Sequence, residues 1–143
     1  MNPAIVSGSA GLIAKAWHWS YLSHGAPQLN GRFERMNNRR MESKDWAAWI
    51  SIKTIVESVL RIQNISNKNI IEYFKGPDFQ VDGSKGIGLN FKKTTNQLRQ
   101  TILLISSNNW TTKVAPLEEF YDSENNLNTL GLSYNQAECK LEE

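Results

Sequence analysis

The run Asp45-Trp-Ala-Ala-Trp-Ile-Ser-Ile-Lys-Thr-Ile-Val-Glu-Ser-Val-Leu60 constrains this chain more than any other. No proline or glycine interrupts it, and its apolar residues recur at helical spacing. At 3.6 residues per turn, Ala48, Trp49, Ile52, Ile55, Val56 and Val59 form one stripe, with Ser51, Thr54, Glu57, Ser58 and Arg61 opposite. The spacing predicts an amphipathic helix whose aliphatic stripe faces a core. Ser43 is the expected N-cap, and Asp45 and Arg61 suit the two poles of the helix dipole. The stripe carries no Cys, His or carboxylate, so this helix reads as scaffold and any chemistry must come from its flanks.

A chain of 143 residues is long enough for one domain with a real core. Its 40% hydrophobic and 21% charged content is that of a folded globular protein. Sixteen basic residues stand against fourteen acidic ones, and the basic pairs Arg39-Arg40 and Lys92-Lys93 are isolated. That balance argues against a nucleic-acid partner. No apolar run is long enough to span a bilayer, so membrane insertion is not expected. The N-terminus lacks the basic and apolar regions of a signal peptide. Cys139 is the single cysteine, which excludes an internal disulfide and a Cys-based zinc site. It is either free or paired with another polypeptide.

In chain order, Ala4-Ile-Val6 predicts a short strand ending at the loop Ser7–Gly11. That loop lacks the Lys-Ser/Thr pair and the glycine spacing of phosphate-binding loops. Within Leu12–Tyr21, an extended segment would put Trp17 and Trp19 on one face and His18 on the other. Two indoles beside an imidazole suit the wall of a ligand pocket. They equally suit an edge or crossover strand with half-buried tryptophans. A metal role for His18 and His24 would need ligands that the neighbouring sequence does not supply. Ala26–Asn37 predicts a helix with Pro27 in its first turn. A third helix is expected over Asn67–Lys75, with Ser66 as N-cap and Gly76-Pro77 as terminator.

From Phe79 the period changes to that of strands, through Val81 and then Leu89 and Phe91. Ile102–Ile105 reads as a strand buried on both faces, and Trp110–Ala115 pairs back on it across the turn Ser107-Asn108-Asn109. From Pro116 onward an Asn- and Glu-rich tail is expected to lie on another surface. Asn64-Ile-Ser66 and Asn109-Trp-Thr111 fit the glycosylation sequon, a match that arises easily by chance in an Asn-rich chain. The predicted order is strand-helix-helix-helix, followed by strands and a hairpin, an α/β class.

Several blocks in that order resemble the C-terminal part of type I periplasmic substrate-binding proteins, the branched-chain amino-acid receptor family of ABC transporters. They are Gln28-Leu-Asn-Gly-Arg-Phe33, Met41–Trp49, Phe79-Gln-Val-Asp-Gly83 with Gly86-Ile-Gly-Leu-Asn-Phe91, Gln97–Leu104 and Leu127-Asn-Thr-Leu-Gly131. The finer resemblance is to the subgroup associated with alcohol oxidation dependent on pyrroloquinoline quinone. It rests on Ser-Ala-Gly-Leu at 9–12, Ala-Trp-His at 16–18, Gly-Ala-Pro-Gln-Leu at 25–29, Asp-Trp-Ala-Ala-Trp at 45–49 and Asn-Thr-Leu-Gly at 128–131.

The resemblance covers nearly the whole chain and implies Rossmann-like lobes, of which residues 1–143 would be a partial region. Residues 1–20 would carry a crossover strand between lobes, 21–95 the helices and a strand of one lobe, and 96–143 a crossover hairpin and tail. It implies a small-molecule solute bound between two lobes and delivered to an ABC permease in the periplasm. No resident cofactor, no metal and no catalysis are expected. A complete receptor is roughly twice this length, so the resemblance implies a truncated receptor whose N-terminal part is missing from this chain. Cys139 would then have had an upstream partner. Trp17, His18 and Trp19 would lie near the hinge and the ligand cleft. The alternatives are a non-binding interaction or regulatory domain derived from that fold, and an enzyme. An enzyme would need a nucleophile with a base, or paired carboxylates, which neither His18 nor the acids Glu118, Glu119, Asp122 and Glu124 supply by their sequence context.

Overall fold

The computed structural model describes residues 11–92, 95–116 and 127. The predicted strand at Ala4–Val6, the tail beyond Pro116 apart from Leu127, and Cys139 lie outside the described residues. The elements are β1 (Ile13–Lys15), α1 (Ala26–Asn37), α2 (Ser43–Ile62), α3 (Asn67–Lys75), β2 (Val81–Asp82), β3 (Gly88–Phe91), β4 (Leu98–Arg99), β5 (Ile102–Ile105) and β6 (Thr111–Ala115). The chain thus mixes helices with sheets, an α/β protein in the broad sense.

Two three-stranded sheets form, ordered β1-β5-β6 and β2-β3-β4, and every strand pair among the described residues is antiparallel. β5 is the centre of the first sheet because its apolar run Ile-Leu-Leu-Ile can pack on both faces; Leu103 and Ile105 are buried and their neighbours half-buried. Ile13 pairs with Ile105, and Ile102 with Ala115. The β5–β6 register slips between Leu104 and Ile105, leaving Thr112 as the extra residue. Its hydroxyl donates to the Leu104 carbonyl at 3.0 Å. The hairpin turns at Asn109, whose φ of 60° suits a residue that tolerates the left-handed region.

α1 begins after Gly25 in the left-handed conformation, carries Pro27 in its first turn and stops at Asn38, φ 51°. α2 departs from expectation at its start. The N-cap is Glu42, whose side chain accepts the Asp45 backbone N–H while the Asp45 carboxylate accepts that of Glu42 at 2.9 Å, a reciprocal cap. Ser43 is turned to another use, described below.

The larger departure is which face α2 buries. Trp46, Ile50, Thr54 and Ser58, spaced at i, i+4, i+8 and i+12, point into the protein. The expected core positions Ala48, Ile52, Ile55 and Val56 are exposed, as is Leu60; Trp49 and Val59 are half-buried. The helix has two apolar faces. The one that packs combines a large indole with the small Thr54 and Ser58, and small side chains let α3 and β2 come close to the helix axis. The Ser58 hydroxyl is satisfied inside by donating to the Thr54 carbonyl at 2.7 Å.

The core is strongly aromatic. Trp17 and Trp46 stack at 6.0 Å with an interplanar angle of 9°. Phe74, Phe79 and Phe91 form a second group with mutual centroid distances of 5.3–5.5 Å. The Trp46 Nε1–H donates to the Gly83 carbonyl at 3.0 Å. A Cβ at Gly83 would meet Leu89 Cδ1 at 2.5 Å and Trp46 Cζ2 at 3.1 Å, so glycine is the residue that lets β2 approach the indole this closely.

Candidate functional site

Beyond Lys15 the chain leaves its sheet, so the extended alternation expected through Tyr21 stops after β1. The consequence is that Trp17 and His18 do not point to opposite sides of a strand; both are buried, and Trp19 is half-buried. Two elements hold this segment. The Ser43 hydroxyl, at the start of α2, accepts the Trp17 N–H and donates to the Trp17 carbonyl, each at 3.1 Å. Asn30, on α1, accepts the Trp17 Nε1–H at 2.9 Å and donates to the Trp19 carbonyl at 3.1 Å. Ser43 and Asn30 together fix Trp17 and Trp19 against the N-terminal halves of two helices.

Trp17, His18 and Trp19 line one open cleft of about 770 Å³. Its other wall is the segment Arg40–Lys44, with Lys15 and Asn109 at the margin. The Trp17 indole itself is 0% exposed and stacked on Trp46, so its part is to hold the wall rather than to meet a solute. Trp19 is covered by the Arg40 guanidinium, 3.6 Å from the ring centroid.

His18 is 5% exposed and joins a chain of hydroxyls. Its Nδ1 lies 2.8 Å from Ser20 Oγ and accepts the Ser20 N–H at 3.3 Å. Ser20 Oγ in turn accepts the Thr111 N–H and meets Thr111 Oγ1, both at 2.9 Å. Burial lowers the His18 pKa, and the charges of Lys15 and Arg40 lower it further, so the ring is neutral near pH 7. Ser20 and Thr111 were invisible to sequence reasoning: Ser20 is an unremarkable serine, and its partner lies 91 positions away. The Ser20 hydroxyl is buried and already takes the Thr111 N–H, so it orients the imidazole and does not present a nucleophile to the cleft.

The acids Glu118, Glu119, Asp122 and Glu124 lie outside the described residues. His24 stands apart from His18, with its Nδ1 2.8 Å from the Tyr21 hydroxyl. Among the described residues no group of three or more His, Cys, Asp or Glu is gathered at metal-binding reach, and no helix is long and apolar enough to cross a membrane. A second, more apolar cleft of about 480 Å³ runs between α1 and α2, past Leu29, Phe33, Met41 and Trp49.

No protein-family model, no curated protein and no solved structure matches this chain.

Proposed function

We propose that this chain is part of a type I periplasmic solute receptor, serving an ABC permease of a system for alcohol oxidation dependent on pyrroloquinoline quinone. In this reading a small solute rests against Trp19 and His18, and a second lobe closes over it by hinge motion. The observation that carries the reading is the cleft. The residues singled out by their chemistry, His18 and Trp19, stand on one wall, with Arg40 and Lys44 on the other, and the cleft is open on its outer side. Pockets that combine an aromatic wall with a few fixed polar groups are typical small-molecule sites.

A single wall recovers only part of the contact energy that offsets the entropy of association. The isolated chain is therefore expected to bind no tighter than about 1 mM. Ligand-observed NMR with small alcohols, aldehydes and carboxylates reads binding in that range. The expected result is weak saturation transfer that Trp19→Ala abolishes. Equal signals from the variant and the parent chain for every solute would remove the cleft from the reading.

The exposed apolar face of α2 supports a second reading. Ile52, Ile55, Val56 and Leu60 stand together in solvent, with Ile71 of α3 also exposed. In a receptor this face packs against the receptor's remaining part; in an interaction domain it meets a different protein. Sedimentation separates the two. Solute binding that survives Ile52→Asp with loss of self-association fits the receptor, whereas an α2-dependent complex with no solute binding fits the interaction domain.

A further inference from the structure

The exposed apolar face of α2 is shaped as a ridge. Ile52, Val56 and Leu60 recur at i, i+4 and i+8, the spacing of one of the rows by which packed helices interdigitate. All three stand in solvent. Beside the ridge runs the apolar groove between α1 and α2, with Leu29, Phe33 and Trp49 half-buried in its walls and Met36 exposed. Trp49 joins the two, because it lines the groove and, at i, shares the helix face of Val56 at i+7 and Leu60 at i+11. One continuous surface thus presents a ridge and a groove side by side. The charges in the groove leave its floor free to be covered. Asp45 is paired with Arg39 at 2.6 Å and Lys53 with Glu57 at 3.3 Å, so neither would be buried alone. Arg32 is exposed, and its long stem can keep the guanidinium in water.

The extent of this surface decides what can occupy it. Met36, Ile52, Ile55, Val56 and Leu60 are between 47% and 84% exposed. With about 120 Å² of apolar surface on a fully exposed side chain of this size, they offer roughly 400 Å². A stable pair of proteins buries about 800 Å² on each side, a little over half of it non-polar, or about 450 Å². The patch therefore matches the apolar share of a whole protein interface. Its shape selects the partner. A surface with a ridge beside a groove is complementary to itself, since a twofold axis between them sets each ridge in the other copy's groove. We propose that two copies of this chain pair about such an axis, with Ile52, Val56 and Leu60 of each seated in the α1–α2 groove of the other. The pairing rests on this surface and not on solute binding, so its failure leaves the cleft of His18 and Trp19 untouched.

Sedimentation velocity on the full chain, between about 1 μM and about 1 mM, tests the pairing. A reversible monomer–dimer equilibrium that stops at the dimer is expected, because an interface of this symmetry closes on itself. Val56→Asp spoils the ridge and Met36→Lys spoils the groove. Both positions are exposed, so each variant should keep the circular dichroism of the parent chain. Each alone should raise the dimer dissociation constant at least about tenfold. Mixed in equal amounts, the two should form a dimer tighter than either makes alone. In that pair the intact ridge of the Met36→Lys copy meets the intact groove of the Val56→Asp copy, and the other half brings together altered positions of opposite charge. A chain that stays monomeric throughout overturns the proposal and leaves the face to a different protein or to another part of a receptor. Association that grows past the dimer, or that Met36→Lys leaves unchanged, overturns the seating of ridge in groove. A mixture no tighter than the separate variants overturns it as well, since two ridges in contact would behave that way.

Discussion

The face of α2 that carries stability can be decided by two substitutions of the same residue type, two positions apart on one helix. Ile50 is 3% exposed and Ile52 is 65% exposed. Ile→Ala removes three carbons, each worth about 0.8 kcal/mol when fully buried. At Ile50 that is about 2.4 kcal/mol before the cavity contributes, and the total falls at about 3 kcal/mol. At Ile52 only about a third of the side chain is covered, so the loss is about 0.8 kcal/mol, offset by about 0.4 kcal/mol of helix propensity gained by alanine. Ile52→Ala is thus expected to lie within about 0.5 kcal/mol of the parent chain. Urea denaturation followed by tryptophan fluorescence measures both, since Trp46 sits beside the perturbed core. The expected result is a lower midpoint for Ile50→Ala with an unchanged slope, and almost no shift for Ile52→Ala. A larger loss for Ile52→Ala than for Ile50→Ala in the monomeric chain would refute the buried face described above. It would restore the face that hydropathy alone selects.

Two further outcomes follow from buried or paired charges. Lys85 is 2% exposed, and burial pulls its pKa down to about 7, against an ordinary 10.5. Between those values the unfolded chain holds more protons than the folded one, so stability should rise with pH, by at most about 1.4 kcal/mol per unit. Hydrogen bonds from the ammonium to Gln100 Oε1 at 2.6 Å and the Thr101 carbonyl at 2.9 Å, and the Trp46 face 3.8 Å away, oppose the shift and make the slope shallower than that limit. Lys85→Met should abolish the rise, and denaturation midpoints across this alkaline range check it. Asp45 behaves in the opposite sense: the hydrogen bond from Arg39, then that from the Glu42 backbone, hold its pKa down to about 2, from an ordinary 3.8. Its contribution is complete above that ordinary value and is lost as pH falls through the window between the two. Asp45→Ala should cost about 1 kcal/mol at neutral pH through the lost reciprocal cap, and should flatten the acid limb of thermal midpoint against pH; an unchanged acid limb would show that the pairing contributes nothing.

Local pattern alone located most of the elements. Pro27 and the Asn37-Asn38 pair bounded α1, Ser66 and Gly76-Pro77 bounded α3, and the Ser-Asn-Asn turn announced the β5–β6 hairpin, because caps and turns depend on residues a few positions apart. The same local pattern marked Trp17, His18 and Trp19 as chemically notable but assigned their directions wrongly, since it assumed a strand that ends at Lys15. It could not foresee the Ser43 clamp on Trp17, the Ser20–Thr111 link behind His18 or the burial of Lys85, whose partners lie 26, 91 and 16 positions apart. Hydropathy period shows that a helix has an apolar side. It does not show which of two apolar sides will find a surface to pack on, and on α2 it favoured the aliphatic stripe over Trp46 and Ile50. That choice belongs to tertiary structure: the face that packs is the one whose Thr54 and Ser58 let neighbouring elements approach closely. Burial is gained only where another surface fits.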